Sequence, residues 1–291
     1  MVFSRYRRWK TTVDEKVHNL ELKSVLNDPG VLLDCIDYVH DDTSRRLYFV
    51  ADFDFSYTDR KQVTKLLPRA TLPATGEIAL PTREGMFGVF EEASKNGGSV
   101  LVHCGMHGMC EPSGRSVITE DDDGTIHFMN IPDGSASEEA FMVDANGERI
   151  YGEEFLRHLS DSSGRTGMTL TLSLDMCNAA AFLDGVVGLP YQYGEPDFAA
   201  DHSEPVGASR SNNQLVVISA SKRGEFAGEF GRCGAMTYFL KAALRRPQQG
   251  TAANVIQYMR EKCKGRQTPQ IASRYPSTGR FRLLPDIRSR L

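Results

Sequence analysis

Long apolar runs are missing from this chain. None approaches the ~20 residues that a membrane-spanning helix needs. The basic residues near the start are not followed by the apolar core of a secretory signal. The six cysteines (Cys35, Cys104, Cys110, Cys177, Cys233 and Cys263) have no paired rhythm. Without a signal they read as reduced thiols of a cytosolic or nuclear protein. An excess of positive charge is also lacking: the net charge is −4 and the pI near 6.0, which argues against a general nucleic-acid surface. The one dense basic run, RYRRWK at 5–10, is short, so residues 1–20 read as a solvated, disordered basic tail. No internal repeat or long low-complexity tract is present.

What the chain does contain is an ordinary globular composition: 291 residues, 40% hydrophobic and 25% charged. That length fits one large α/β domain or two small ones. Short apolar runs at 46–51 (RLYFVA), 99–104 (SVLVHC), 168–174 (MTLTLSL) and 214–220 (QLVVISA) read as strands covered on both faces. Helical patterns fall between and after them, at 29–42, 81–98, 152–164, 234–246 and 251–265. The first starts at Asn27-Asp28 with Pro29 just inside, and the second near Thr82. Strands alternating with helices predict an α/β domain over 21–286, its mostly parallel central sheet flanked by helices.

Two stretches, 105–149 and 185–213, read as long irregular segments. Both leave the C-terminal ends of strands, where open α/β sheets put their ligand crevice. The first begins inside LVHCGMHGMC (101–110), which offers either four soft metal ligands or a single catalytic base. The spacing H-C-x-x-H-x-x-C lacks the usual cysteine pairing, and strand alternation points His103 and Cys104 to opposite faces, so no zinc is expected. His103 is expected only to pack. The neighbouring run 168–174 delivers Asp175, Met176 and Cys177 to the same rim as His107. A thiolate nucleophile needs an imidazole to take its proton, so the two together form a Cys–His hydrolase constellation.

At these residues a resemblance emerges. His107-Gly108, four residues after His103, resembles the strand-ending H-x-x-x-H-G of the caspase-like metacaspases, and Asp175-Met176-Cys177 their D-x-C. LDGVVGLPYQY (183–193), VVISASKRGEFAGE (216–229), GAMTYFL (234–240), QTPQ (267–270) and LKSVLND (22–28) are also similar, in the family's order. The likeness spans about residues 20 to 285 and points to a type I, fungal or protist-like member.

That resemblance implies a caspase-like fold and a cysteine endopeptidase cutting after Arg or Lys. Cys177 would be the nucleophile and His107 the general base. The N–H groups of Gly108 and Cys177 would form the oxyanion hole. Asp28 and Asp175 would line the pocket for the substrate cation. Each acid also has a plainer role, Asp28 as the N-cap of its own helix and Asp175 as the cap of whatever helix follows its strand. Calcium is the implied cofactor, through Asp184 and Asp144. The expected partners are peptides or proteins bearing Arg or Lys, with no nucleic acid or membrane, and the protein is expected to be a monomer. Arg210 is the only basic residue between Gly185 and Gln214, so it is a candidate autocleavage site or merely a solubilising charge.

Several residues depart from the family pattern. Asn178-Ala179-Ala180 stands where the family prefers H-S-G, and Val25 and Gly105 replace the usual Cys and Ser. RYRRWKTTVDEKVHNLEL offers no counterpart of the family's apolar first strand, which is expected to be truncated or supplied from outside. The alternative these departures raise is a catalytically impaired caspase-fold protein that acts by binding.

Overall fold

The strand Thr169–Asp175, here the cysteine strand, reads TLTLSLD and alternates leucine with polar residues. Leu170, Leu172 and Leu174 enter the largest apolar cluster, and in an alternating strand Thr171, Ser173 and Asp175 face the opposite way. It runs parallel to Ser99–Gly105, the histidine strand, from Thr169↔Ser99 to Asp175↔Gly105. On its other side it runs parallel to Gln214–Ser219. Antiparallel strands Gln270–Ser273 and Tyr191–Tyr193 follow, and Val2–Phe3 pairs in parallel with Cys104 and Gly105 at the opposite edge. The computed structural model describes residues 2–3, 10–13, 16–19, 22, 24–39, 47–58, 64–95, 99–111, 116–120, 126–130, 139–161, 169–183, 191–193, 214–231, 233–246, 251–273, 281 and 283.

Helices cover both faces of this sheet. On one, α2 (Arg83–Ser94) and α3 (Gly152–Asp161) bring Met86, Phe90, Phe155 and Leu159 onto Val102, Leu172 and Val217. On the other, α4 (Ala235–Leu244) and α5 (Ala252–Cys263) pack Met236, Leu240, Ile256 and Met259 onto Val216, Ile218 and Ile271. The helix α1 (Asp28–Val39) lies beside α4 and adds Cys35 to the same cluster. Thr82 and Thr251 cap α2 and α5 by accepting from Gly85 N and Asn254 N, each typically worth ~1 kcal/mol.

The expected α/β architecture and its mostly parallel sheet are present, with three local differences. RLYFVA does not enter the central sheet. Phe49 makes an isolated parallel bridge to Arg69 and packs edge-on against Phe53 at 5.6 Å, in a separate cluster with Leu32 and Leu33. A short apolar run specifies burial but not the partner that buries it. The described residues of 105–149 are largely in strands. His107–Glu111, Glu139–Val143 and Arg149–Tyr151 form a three-stranded antiparallel sheet, and Ser116–Glu120 pairs with Ile126–Asn130. Within the basic N-terminal segment, Lys10–Val13 and Lys16–Asn19 form a hairpin rather than a tail, in keeping with their Thr and Val content.

The cysteine strand supplies a paired test. The buried Thr171 hydroxyl has no hydrogen-bond partner among the described residues, whereas its neighbour Leu172 is fully buried in the apolar cluster. Thr171→Val is therefore expected to be neutral or to stabilise by up to ~1 kcal/mol in urea unfolding. Leu172→Ala should cost about 2–5 kcal/mol. A large loss for Thr171→Val would show that the hydroxyl is bonded.

Candidate functional site

Parallel register brings the histidine and cysteine strands to one edge, where Gly105 pairs with Asp175. Beyond Gly105 the chain bends at Met106 and re-enters a strand at His107; beyond Asp175 it turns through Met176 and Cys177. These two turns touch. A Cβ built on Gly108 would collide with the carbonyl oxygen of Cys177, so the approach requires glycine. The sequence-predicted pair, half-buried His107 at the start of its strand and half-buried Cys177 in its turn, thus lies at the sheet's C-terminal rim.

The turn that carries Cys177 is held from the segment 221–227. Asn178 sits in the left-handed region (φ 55°), which asparagine tolerates better than most residues. Its N–H donates to the Glu225 carbonyl at 3.0 Å and its Oδ1 accepts from Gly224 N at 2.8 Å. The Ser221 hydroxyl donates to the Met176 carbonyl at 3.1 Å, and Ala180 N donates to the Ser221 carbonyl at 3.0 Å. The Glu225 carboxylate is in turn anchored by Thr268 N, Thr268 Oγ1 and Lys222 N, at 2.8, 2.7 and 3.1 Å. Sequence reasoning missed Ser221 and Glu225 and treated Asn178 only as a departure. Its residue type, directly after the candidate nucleophile, was the available signal. The Cys177 thiol accepts from Ala227 N at 3.3 Å. Burial pushes that thiol up, with Asp175 adding to the effect and the Ala227 N–H opposing it.

Asp28 and Asp175 converge as the sequence reading expected, though neither caps the helix foreseen for it. Asp175 Oδ2 accepts from Thr237 N at 2.9 Å and Thr237 Oγ1 at 2.6 Å, in the first turn of α4. Asp28 opens α1, yet its Oδ1 accepts from Gly234 N at 2.9 Å and Cys233 Sγ at 2.8 Å. A Cβ at Gly234 would strike the Asp175 carboxylate. His103 is fully buried as expected, but it also belongs to this polar cluster. Its Nε2 lies 3.6 Å from Asp28 Oδ2 and its Nδ1 2.9 Å from Ser173 Oγ. A Cβ at Gly105 would stand 3.2 Å from Asp28 Oδ2 and 2.9 Å from Val25 Cγ1. Val25 therefore fills space that a side chain at 105 would need.

The calcium candidates fare differently. Asp144 Oδ1 accepts from Asn146 N and Glu148 N and its Oδ2 from Arg83 N, all at 2.8 Å. Those bonds close a turn and satisfy the start of α2, which leaves Asp144 a poor fit to an open metal ligand. Asp184 and Arg210 lie outside the described residues. Among the described residues no group of three or more His, Cys, Asp or Glu is arranged to hold a metal ion.

Two predictions follow from the carboxylates. Burial first, and then the neighbouring Asp28, push the Asp175 carboxyl up to about 6, against the hydrogen bonds of Thr237. A carboxyl that holds its proton more tightly folded than unfolded (~3.9) costs stability once ionised; the cost is absent below about 4 and complete above about 6. Asp175→Asn keeps an acceptor for Thr237 without the charge. Its thermal midpoint should accordingly gain on the parent as pH rises from 4 to above 6; a parent that gains on the variant would exclude a buried ionised pair. Asp144→Ala, by stranding three N–H groups, should cost about 2–3 kcal/mol in urea unfolding with or without calcium.

No family model and no curated protein matches the chain. Among solved structures it is similar to the crystal structure of protein GSU0716 from Geobacter sulfurreducens, at 12% identity with a TM-score of 0.50. The match covers 93% of this chain and 92% of that one, so the likeness runs along nearly the whole fold. At that identity it concerns the α/β architecture alone.

Proposed function

We propose that this chain is a cysteine endopeptidase with a caspase-like fold, cutting peptide bonds after Arg or Lys. The observation that carries the reading is the contact of Gly108 with the Cys177 carbonyl, which sets the turn of His107 against the turn of Cys177. In the proposed reaction His107 takes the Cys177 proton as the sulfur attacks the scissile carbonyl carbon. The N–H groups of Gly108 and Cys177 receive the developing oxyanion. His107 then protonates the departing amine, and water hydrolyses the thioester with His107 as base. Asp175 and Asp28 are the anionic pair that takes the substrate's guanidinium or ammonium group, a charge-assisted contact that favours Arg. Burial pushes the thiol up, which makes His107 the group that takes its proton in this proposal.

The residues that depart from the resembled pattern, Asn178-Ala179-Ala180, Val25 and Gly105, support a second reading, in which the fold is kept for binding and catalysis is impaired. An Arg-coumarin peptide separates the two. Turnover is expected in the parent, none in Cys177→Ala, and a kcat lower by ~10²-fold or more in His107→Ala. Turnover that persists in Cys177→Ala would remove the mechanism; none in the parent, with or without calcium, would favour the binding protein. No step is routed through calcium. A calcium-dependent rise abolished by Asp184→Ala would assign the ion to that residue, and equal rates in chelator would take it out of the proposal. Autocleavage after Arg210 is expected in the concentrated active enzyme, and mass spectrometry should find Cys177→Ala and Arg210→Gln intact at that bond.

A further inference from the structure

Seven large hydrophobic residues are exposed among the described residues, and the three aromatic ones, Phe226, Phe230 and Tyr238, all lie within 226–238. Phe226 is 79% exposed, well beyond Phe230 at 39% and Tyr238 at 40%. Phe230 and Tyr238 pack together and Phe226 lies four residues before Phe230 along the chain; exposed apolar surface of this kind marks a site of interaction. The location decides which. Phe226 immediately precedes Ala227, whose N–H reaches the Cys177 thiol at 3.3 Å. From there the chain runs through the hairpin Glu229–Phe230/Cys233–Gly234 to the Gly234 N–H, which donates to Asp28. The Phe230 ring rests on Tyr238 and Phe239 of α4, at 4.5 and 5.1 Å between centroids. The aromatic segment thus links the thiol to the carboxylates.

That linkage assigns a side of the substrate. In the proposed reaction His107 returns its proton to the departing amine and so flanks the product that leaves first. The carboxylates hold the side chain on the other side of the cut. A segment running from the thiol to the carboxylates flanks the residues that precede the cleaved bond.

We infer that Phe226, with the aromatic patch of Phe230 and Tyr238 beyond it, forms an apolar subsite for the residues preceding the cut. The preferred substrate then has Arg or Lys at the bond and a large aliphatic or aromatic side chain one to three residues before it. This rests on the peptidase reading and deepens it by naming a specificity-determining residue.

The test uses acetylated tetrapeptide coumarin amides ending in Arg, with Phe, Leu, Ser or Asp placed in turn at each of the three preceding positions. At one position Phe or Leu should exceed Ser by about tenfold in kcat/KM, equivalent to about 1.4 kcal/mol. In Phe226→Ser that ratio should fall below about twofold, and the thermal midpoint should scarcely move because the residue is exposed. Equal rates for all four residues in the parent, or an undiminished preference in Phe226→Ser, would overturn the subsite. If the parent turns over no Arg or Lys peptide, the peptidase reading fails on its own. Fluorescent forms of the same peptides titrated onto Cys177→Ala then decide the subsite. A tighter Kd for the Phe peptide that is lost in Cys177→Ala/Phe226→Ser supports it, and equal Kd values overturn it.

Discussion

Two buried carboxylates meet at one helix N-terminus, and much of the candidate site is aimed by that meeting. Asp28 arrives from the start of α1 and Asp175 from the end of the cysteine strand; both accept hydrogen bonds from residues that begin α4. Like charges in a dry site repel, and here burial and Asp28 together raise the Asp175 carboxyl. The positive end of the helix and its unpaired N–H groups offset part of that cost. Gly234 makes the approach feasible, since any side chain there would collide with Asp175. One electrostatic arrangement thereby fixes α1, the cysteine strand and α4 relative to one another. It leaves two carboxylates side by side, with Asp175 two residues before Cys177 in the chain.

On the other side of Cys177 the restraint is different in kind. Asn178, Ser221 and Glu225 hold the turn through hydrogen bonds largely to backbone groups, which fix position without lowering the thiol's affinity for its proton. Burial is the largest influence on Cys177 and pushes the thiol up. Reactivity in such a site depends on the base that approaches it, which is why the contact of Gly108 with the Cys177 turn carries the functional reading. The polar stripe beneath, with Ser173 and His103 joined at 2.9 Å, continues from the carboxylates into the sheet. Polarity is concentrated on one face of a strand whose other face is uniformly leucine.

Much of this was legible locally. The threonines that cap α2 and α5 stand where the helical patterns begin, because a cap is a bond between residues three apart. The histidine, cysteine and 214–219 strands are apolar runs bounded by polar turns, and their common edge follows from parallel pairing. Elements whose partners are distant were not legible. Glycine, aspartate and serine made 105–149 look irregular, yet His107–Glu111 and Glu139–Val143 supply each other's hydrogen bonds. RLYFVA had the composition of a sheet strand but stays outside the sheet, with Phe49 and Ala51 buried against Leu32, Leu33 and Phe53 and Val50 in the largest apolar cluster.

By itself, the amino-acid order determined the alternation of strands and helices, the helix starts, and the delivery of His107, Asp175 and Cys177 to one rim. Those depend on neighbours within a few positions and on the two-residue period of a strand. Tertiary structure alone decided what the carboxylates do. Asp28 reaches Gly234 across 206 residues and Asp175 reaches Thr237 across 62, and no local pattern encodes such a partner. It also decided that Val25 occupies the space a side chain at 105 would need, and that Asp144 closes a turn and accepts from the first N–H of α2. The physical reason is common to all three carboxylates: a buried polar or charged group must be satisfied by whatever the folded chain brings within hydrogen-bond reach, and that is known only once the chain has folded.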